Sequence, residues 1–263
     1  MMWLAGYYVA SYSGMVFNQR IESMTSEINK SIEHPQSTRQ TTPSRHKNQQ
    51  GFSLLEMAVV LVVLGLILGG MLIPLSTQIE KQDRDETKKT LQNIQDALIG
   101  YTMTNGRLPC PDTDGDGIID MAGTCTNAQG TIPWVDLGVG KEDAWGQPFT
   151  YRVTGSFADN TDGTGCGTAT AGVSFELCSV ADINVIDSAA GNPVANLIPA
   201  VVIAHGKNWA TTTSADENEN TDTDTIFVDR RPSMKTAPTF DDQVIWISSN
   251  ILKTKLVTAG RLP

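Results

Sequence analysis

The chain has 263 residues, of which 40% are hydrophobic and 18% are charged, and its formal net charge is −10. This length fits one ordinary domain with extensions or two small domains, and the composition excludes a coiled coil, a collagen and a disordered acidic tail. The acidic surplus also argues against a nucleic-acid partner, because phosphate binding requires clustered lysine and arginine.

The charge is divided unevenly along the chain. Residues 1–51 carry five basic and three acidic side chains, whereas residues 52–263 carry 14 basic and 26 acidic ones, so the net charges are +2 and −12. Residues 57–75 form a run of 19 residues without a charge. Because an α-helix needs about 20 apolar residues to cross a bilayer, this run predicts a transmembrane segment. The basic residues before it predict a cytoplasmic N-terminus and an exported C-terminal part.

The sequence GFSLLE, residues 51–56, stands at the entrance of this apolar run. A carboxylate such as Glu56 costs about 2.5–3.5 kcal/mol at the centre of a membrane helix and less near an end. Cleavage after Gly51 would give Phe52 a free α-amine that could pair with Glu56 or with a neighbouring subunit's carboxylate. A signal peptide fits less well, because its apolar region has about 7–15 residues and ends in a small-residue cleavage site. A plain membrane anchor, with Glu56 reaching toward the interface, is the remaining alternative.

These residues resemble the N-terminal motif of the type IV pilin family, which includes the pseudopilins of type II secretion. The resemblance implies that a prepilin peptidase cleaves after Gly51 and that Phe52 is N-methylated. It also implies that Glu56 neutralises the Phe52 amine of an adjacent subunit during filament assembly. Residues 1–51 would then be the leader peptide, which is long for this family.

The same resemblance implies the fold, the partners and the location. The fold is α+β, with a long N-terminal helix packed on a small antiparallel β-sheet head (the pilin fold). The partners are the prepilin peptidase, other pilin or pseudopilin subunits in a helical filament, an inner-membrane assembly platform and, before assembly, membrane lipid. The head would be periplasmic, and after assembly it would lie in a periplasmic or cell-surface filament.

The helix is expected to continue beyond the membrane segment. Leu91, Ile94, Leu98 and Tyr101 recur at helical spacing and predict an amphipathic stretch, and Asn105-Gly106 predicts its end. Residues 52–75 are therefore the transmembrane or filament-core half of the helix, and residues 76–105 are the amphipathic half. Pro74, preceded by several glycines, is expected to bend or loosen it.

Residues 106–263 are expected to form the globular head. Short β-like runs divided by Gly, Asp, Asn and Thr predict an antiparallel sheet packed on the helix. The runs are residues 149–153, 173–177, 199–204, 226–228 and 244–247. Two further segments resemble the G-type pseudopilins: the Trp-Gly-x-Pro turn at residues 145–148 and the Asp-Asp ending at residues 241–246. The enlarged head and the cysteines favour a minor pilin instead, so both possibilities stay open.

All four cysteines follow the apolar run, namely Cys110, Cys125, Cys166 and Cys178. The exported side is oxidising, so two disulfides are expected. Four cysteines allow three pairings, and we favour the one that joins sequence neighbours, Cys110 with Cys125 and Cys166 with Cys178. The C-x₂₋₄-C spacing of a zinc site does not occur.

The densest acidic motif, residues 112–120, matches the first nine positions of a calcium-binding loop. The matching ligand positions are Asp112, Asp114, Asp116, the carbonyl of Ile118, and Asp120. Gly123 stands where such a loop has its bidentate glutamate, which weakens the expected affinity. Ca²⁺ is therefore the expected cofactor, and a solvent-exposed turn is the alternative. A second, less regular acidic set comprises Asp216, Glu217, Glu219, Asp222, Asp224, Asp241 and Asp242.

The sequence does not indicate an enzyme. His205 is the single histidine after Gly51, and no G-x-S-x-G, H-E-x-x-H or phosphate-binding glycine loop is present. The expected function is that of a structural subunit of a type IV pilus-like or type II secretion filament. The alternative is a membrane-tethered, calcium-dependent adhesion or binding protein that does not polymerise.

Overall fold

The structure is a computed structural model. It describes the following parts of the chain: Gly51 and residues 53–159, 170–211, 214–233 and 239–262. For residues 70–75 it gives the helical backbone and not the side chains. Residues 1–50 of the predicted leader, the predicted methylation residue Phe52 and the predicted disulfide partner Cys166 lie outside the described residues.

Helix α1, Leu54–Asn105, has 52 residues and continues without a break through Pro74. It ends at the predicted place, because Gly106 adopts a φ of +71° and its N–H donates to the Thr102 carbonyl at 2.8 Å. A left-handed glycine is a common helix terminator. A Cβ atom here would lie 2.1 Å from the Gly172 carbonyl oxygen, so only glycine fits.

The chain divides into two compact units, residues 1–59 and residues 60–263. In the first unit the described side chains, from Ser53 onward, are exposed. In the second unit the side chains of residues 60–68 are exposed as well. Over the described residues, we find no helix whose apolar stretch meets the length and hydropathy required to cross a bilayer. The side chains of residues 70–75, which complete the predicted span, lie outside the described set.

The described part of the head contains seven strands. They are β1 (Gln129–Thr131), β2 (Thr150–Val153), β3 (Ile183–Ile186), β4 (Pro193–Ile198), β5 (Ala200–Ala204), β6 (Ile226–Val228) and β7 (Gln243–Ile247). The larger sheet has the order β1-β2-β5-β7 and is antiparallel throughout, as predicted. The four predicted strands that correspond to β2, β5, β6 and β7 are confirmed to within one residue at either end.

The amphipathic half of α1 packs on the larger sheet. Leu91, Ile94 and Leu98 are buried in one apolar cluster with residues of that sheet, including Tyr151. The Gln95 side-chain amide also donates to the Trp246 carbonyl of β7 at 2.7 Å. The predicted packing of helix on antiparallel sheet is therefore confirmed.

Strand β5 lies between two apolar cores, and its five residues are all buried. Ala200, Val202 and Ala204 face the core that contains α1, whereas Val201 and Ile203 face a second core. The alternation follows from the period of two residues along a strand. A strand buried on both faces explains the uninterrupted apolar sequence of β5.

The second core is closed by a smaller sheet with the order β4-β3-β6. Strand β3 pairs with β4 antiparallel and with β6 in parallel. The prediction of one small antiparallel sheet is therefore incomplete, because the long segment between β2 and β5 adds β3 and β4 as a second layer. The strand predicted at residues 173–177 is wrong. Val173 and Phe175 are buried there by packing, and Phe175 stacks on Phe157 at 4.5 Å.

The described part of the head also contains three α-helices that were not predicted from the sequence. Helices α2 (Trp134–Leu137) and α3 (Ala215–Glu219) are short, and α4 (Ser249–Thr258) follows β7. Leu252 and Leu256 of α4 are buried in the core that contains α1. The C-terminal segment thus completes this core.

Candidate functional site

The predicted processing motif lies at the start of α1. The backbone N–H of Glu56 donates to the Ser53 side-chain oxygen at 3.1 Å and to its carbonyl at 3.0 Å, so Ser53 caps the helix. Serine followed three residues later by glutamate is the spacing of a capping box. Glu56 lies in the first turn with an exposed side chain, where the partial positive charge of the helix N-terminus favours a carboxylate.

The first predicted disulfide is confirmed. Cys110 and Cys125 are bonded, with their Cα atoms 5.2 Å apart and a sequence separation of 15 residues. Cys178 is also disulfide-bonded, and its predicted partner Cys166 lies outside the described residues. The bond between Cys110 and Cys125 closes the loop that carries the predicted calcium ligands.

Within this loop, three of the predicted ligands come together. Carboxylate oxygens of Asp112, Asp114 and Asp116 lie within 4.8 Å of one another. Asp112 is buried and accepts hydrogen bonds from the backbone N–H groups of Gly115 at 2.7 Å and Gly117 at 2.9 Å. Burial raises the pKa of Asp112, but these and other hydrogen bonds outweigh it, so the pKa lies below its ordinary value. Asp112 is therefore held as a carboxylate.

Gly117 makes the sharp turn that this loop requires. Its φ is +84°, and a Cβ atom would lie 2.4 Å from the Trp134 ring. A calcium loop places glycine at this sixth position for the same reason. The predicted loop geometry is therefore present around its first six positions.

The remaining predicted ligands are arranged differently. Asp120 is not part of the three-carboxylate cluster; its side chain accepts from the backbone N–H of Thr113 at 2.7 Å. The Ile118 backbone N–H donates to Asp116 at 2.8 Å. A carboxylate absent from the predicted set, Asp136 of α2, accepts from the Ile119 N–H at 2.8 Å.

A second candidate site is buried between β5, α3 and β7, and we call it the buried acidic site. It consists of Asn208, Glu217, Asp241 and Asp242. The three acids have exposed fractions of 0%, 1% and 2% in that order. Three carboxyl groups with almost no contact with water are costly unless a positive charge or hydrogen bonds compensate them.

Each acid of this site accepts a hydrogen bond from a neighbouring backbone or side-chain amide. The Lys207 N–H donates to Asp241 Oδ2 at 2.8 Å, and the Asn208 amide donates to Glu217 Oε1 at 2.9 Å. The Asn220 amide donates to Asp242 Oδ2 at 2.7 Å. Each acid therefore has one oxygen that is held in place.

The second carboxylate oxygen of each acid accepts no hydrogen bond from the described residues. Four atoms have no hydrogen-bond partner among the described residues: Asn208 Oδ1, Glu217 Oε2, Asp241 Oδ1 and Asp242 Oδ1. Buried polar atoms almost always have a partner. A cation with oxygen ligands, such as Ca²⁺, is one partner that such oxygens can bind. The three acids are not, however, a group whose carboxylate oxygens all lie within 4.8 Å of one another.

The pKa values of two acids in the site, Asp241 and Asp242, are raised. Burial, reinforced by the charges of Asp241 and Glu217, raises the pKa of Asp242 to about 8, although Asn220 and Arg84 oppose the shift. Burial also raises the pKa of Asp241 above its ordinary value. A bound cation would favour the ionised carboxylates.

The second acidic set predicted from the sequence is therefore split by the fold. Glu217, Asp241 and Asp242 lie in the buried acidic site. Glu219, Asp222 and Asp224 form a separate, mostly exposed cluster, and Asp216 forms an ion pair with Arg230 at 2.6 Å. Asn208 was not predicted to belong to the site. A single asparagine in a polar loop carries no signal in the sequence, and only the folded structure shows that it contacts the acids.

Comparison with known proteins identifies the motif at the start of α1. The prokaryotic N-terminal methylation motif matches residues 46–72, which include Gly51, Phe52 and Glu56. Together with the helix and sheet described above, this match defines a protein of the prepilin class.

Relatives whose similarity extends past this motif narrow the class. Type II secretion system core protein G of Aeromonas hydrophila is 31% identical over 115 residues, which cover 42% of this chain and 78% of that protein. The protein of the same name from Klebsiella pneumoniae is 28% identical over 110 residues, 41% of this chain and 78% of that protein. The chain belongs to this core protein G family of pseudopilins. Membership in the pilin and pseudopilin class, predicted from residues 51–56, is confirmed, and because the family is structural the chain is not an enzyme. No solved structure matches the chain significantly.

Proposed function

We propose that the chain is a structural subunit of a type II secretion pseudopilus. The observation that carries this proposal is its kinship with core protein G together with the methylation motif at residues 46–72. A prepilin peptidase cleaves between Gly51 and Phe52, and Phe52 is N-methylated. Glu56 then neutralises the new amine of an adjacent subunit.

The first part of α1 supplies the assembly surface. Its described side chains from Leu54 to Leu68 are exposed and mostly apolar. A helix with exposed apolar side chains on all faces needs an apolar environment. Membrane lipid provides it before assembly, with residues 57–75 as a single transmembrane segment and the head in the periplasm. Neighbouring helices provide it in the filament, which an inner-membrane assembly platform builds.

The test is a matched pair of substitutions in α1. We expect Glu56→Ala to abolish incorporation into filaments, measured by shearing and cross-linking, while the peptide bond after Gly51 is still cleaved. Glu86→Ala removes an exposed carboxylate of the same helix and leaves incorporation unchanged. Incorporation of Glu56→Ala at the level of the parent would contradict the proposal and favour the tethered, non-polymerising binding protein.

The head also binds cations in this proposal. Ca²⁺ occupies the disulfide-closed loop, held by Asp112, Asp114 and Asp116. The observation behind this assignment is the gathering of three carboxylates around the turn at Gly117. Calcium would replace their mutual repulsion with attraction and order the loop.

A second divalent cation occupies the buried acidic site. The four unpartnered oxygens of that site support the proposal. The cation offsets the charge of buried carboxylates and so stabilises the head rather than performing chemistry.

A further inference from the structure

Trp209 lies on the surface of the head, in the loop after β5. It begins the single 3₁₀ turn Trp209–Thr211 and is 51% exposed. No other tryptophan among the described residues belongs to the exposed large apolar side chains. Tryptophan is enriched at the energetic centres of protein interfaces, because its ring buries a large apolar area on contact. Trp209 is therefore a candidate interface residue.

A groove of about 320 Å³ lies beside β4 and α4. We call it the Leu197 groove, and its lining includes Val180, Asn196, Leu197, Asn250 and Lys253. Val180 and Leu197 are apolar and yet exposed. A cavity of about 150 Å³ holds a benzene molecule, so the groove has room for an indole ring.

Leu197 has a backbone conformation that leucine rarely adopts. Its φ is +53°, and no other described residue except glycine has a positive φ. Its N–H donates to the Asn184 side chain at 3.3 Å, and its carbonyl accepts from the Ser249 hydroxyl at 2.8 Å. Residues held in such strained conformations cluster at functional sites. Here the strained residue contributes an exposed apolar side chain to the groove.

Trp209 and the groove lie at different levels along α1. The residue before Trp209 donates its backbone N–H to Asp241 at 3.4 Å, and Arg84 of α1 donates to the Asp241 carbonyl at 3.5 Å. Strand β7 then follows α1 as far as Trp246, whose carbonyl accepts from Gln95. Gln95 is about 16 Å beyond Arg84 along the helix. The groove, which is lined by residues that follow β7, is therefore nearer to the end of α1 than Trp209 is.

The charges of the two regions are complementary. Residues 209–224 contain Trp209 and α3, and they carry five acidic and no basic side chains. Residues 248–263 contain α4 and part of the groove lining, and they carry three basic and no acidic side chains. Opposite charges on two surfaces speed their encounter and fix its orientation. The groove region of one copy is therefore matched to the Trp209 region of another.

We infer that Trp209 of one subunit inserts into the Leu197 groove of a neighbouring copy of this chain. The inference rests on the pseudopilus proposed above, in which every α1 has the same direction. The two surfaces then meet head to tail, and a head-to-tail contact that does not close on itself builds an open helical filament. The ring packs on Val180 and Leu197, and its N–H donates to an amide oxygen of Asn196 or Asn250.

Photocross-linking in assembled filaments tests this contact. The substitution Trp209→p-benzoylphenylalanine places a photoreactive ring at the position of the indole. A cross-link between two copies gives a product of twice the mass, in which peptide mass spectrometry locates the partner residues. We expect them within residues 178–181 or 196–198, whereas the same probe at the exposed Val135 should not reach the groove. Double-mass products from position 209 that map elsewhere would overturn the inference.

Two substitutions separate the contact from the stability of the head. Trp209→Ala should lower the amount of sheared filament by about tenfold or more. Leu197→Gly removes the side chain from the groove but suits the positive φ, so the filament yield should fall while the melting temperature of the head stays nearly unchanged. Val194→Ala, at an exposed position of the same strand outside the groove, should leave the filament yield unchanged.

The results distinguish this contact from the pseudopilus proposal. Filaments that form in normal amount from both Trp209→Ala and Leu197→Gly would overturn the contact and leave the pseudopilus proposal intact. A parent chain that forms no more filament than Glu56→Ala would contradict the pseudopilus proposal and the contact with it. The cross-linking result decides the matter if Leu197→Gly lowers the melting temperature.

Discussion

A Cβ atom on Gly206 would lie 2.7 Å from the carboxylate carbon of Asp241. Gly206 has a φ of +67°, and this turn directs the next backbone N–H, that of Lys207, to Asp241 Oδ2 at 2.8 Å. The turn that ends β5 thus brings backbone donors into contact with an acid that lies just before β7. The buried acidic site depends on this turn as much as on its carboxylates.

Gly206→Ala is expected to destabilise the head. The left-handed conformation costs a residue other than glycine about 1–2 kcal/mol, and the new methyl group would collide with Asp241. The free energy of unfolding, measured with denaturant, should fall by at least that amount. Gly100→Ala is the control, because Gly100 is exposed in α1 and a methyl group there would have no neighbour within 4 Å. Unfolding free energies that rank the two variants in the reverse order would contradict the importance of the turn.

Removal of divalent cations is expected to lower the melting temperature of the head. A ligand that binds only the folded state stabilises it by about 2.7 kcal/mol at one hundred times its dissociation constant. Differential scanning calorimetry with millimolar divalent cation, and then with excess chelator, measures the shift.

The chelator shift should be smaller in Asp241→Asn, since Asp241 is buried and offers an unpartnered oxygen. Asp96→Asn removes an exposed carboxylate of α1 that belongs to neither carboxylate cluster; it is the control and should keep the shift of the parent. An identical chelator shift in the parent and in Asp241→Asn would contradict the binding of a cation in the buried acidic site.

The sequence predicted those features that depend on neighbours along the chain. The end of α1 at Gly106 follows from a glycine after a helical pattern, and strand β5 follows from an apolar run. The bond between Cys110 and Cys125 joins two cysteines that are consecutive among the cysteines of the chain. Each of these features needs only local geometry.

Features that depend on distant contacts were missed. Asn208 reaches both Asp241 and Glu217 only because the loop after β5 folds back beside β7. Strand β4 has an exposed, irregular pattern that begins with Pro193, so it lacks the alternation that predicts a strand. Residues 173–177 have the composition of a strand but join neither sheet, because they pack beside the end of α1.

Loss of the Cys110–Cys125 bond is expected to destabilise the loop that contains the predicted calcium ligands. Closure of a loop of about 15 residues contributes about 3 kcal/mol in the chain-entropy model. The double variant Cys110→Ser and Cys125→Ser should therefore unfold at lower denaturant concentration and bind Ca²⁺ more weakly in the loop. Titration with Ca²⁺ separates the two effects, because a purely structural bond would leave the Ca²⁺ affinity of the folded state unchanged.

Helix α4 provides a test of the core that the sequence did not predict. Leu252 and Ile251 are adjacent in this helix, yet Leu252 is fully buried and Ile251 is 53% exposed. Truncation of a buried leucine to alanine costs about 2–5 kcal/mol, because it removes apolar contacts and leaves a cavity. Leu252→Ala should therefore lower the unfolding free energy by that amount, and Ile251→Ala should change it by less than about 1 kcal/mol. Equal losses in the two variants would mean that α4 does not pack through Leu252, and the core that contains α1 would then end at β7.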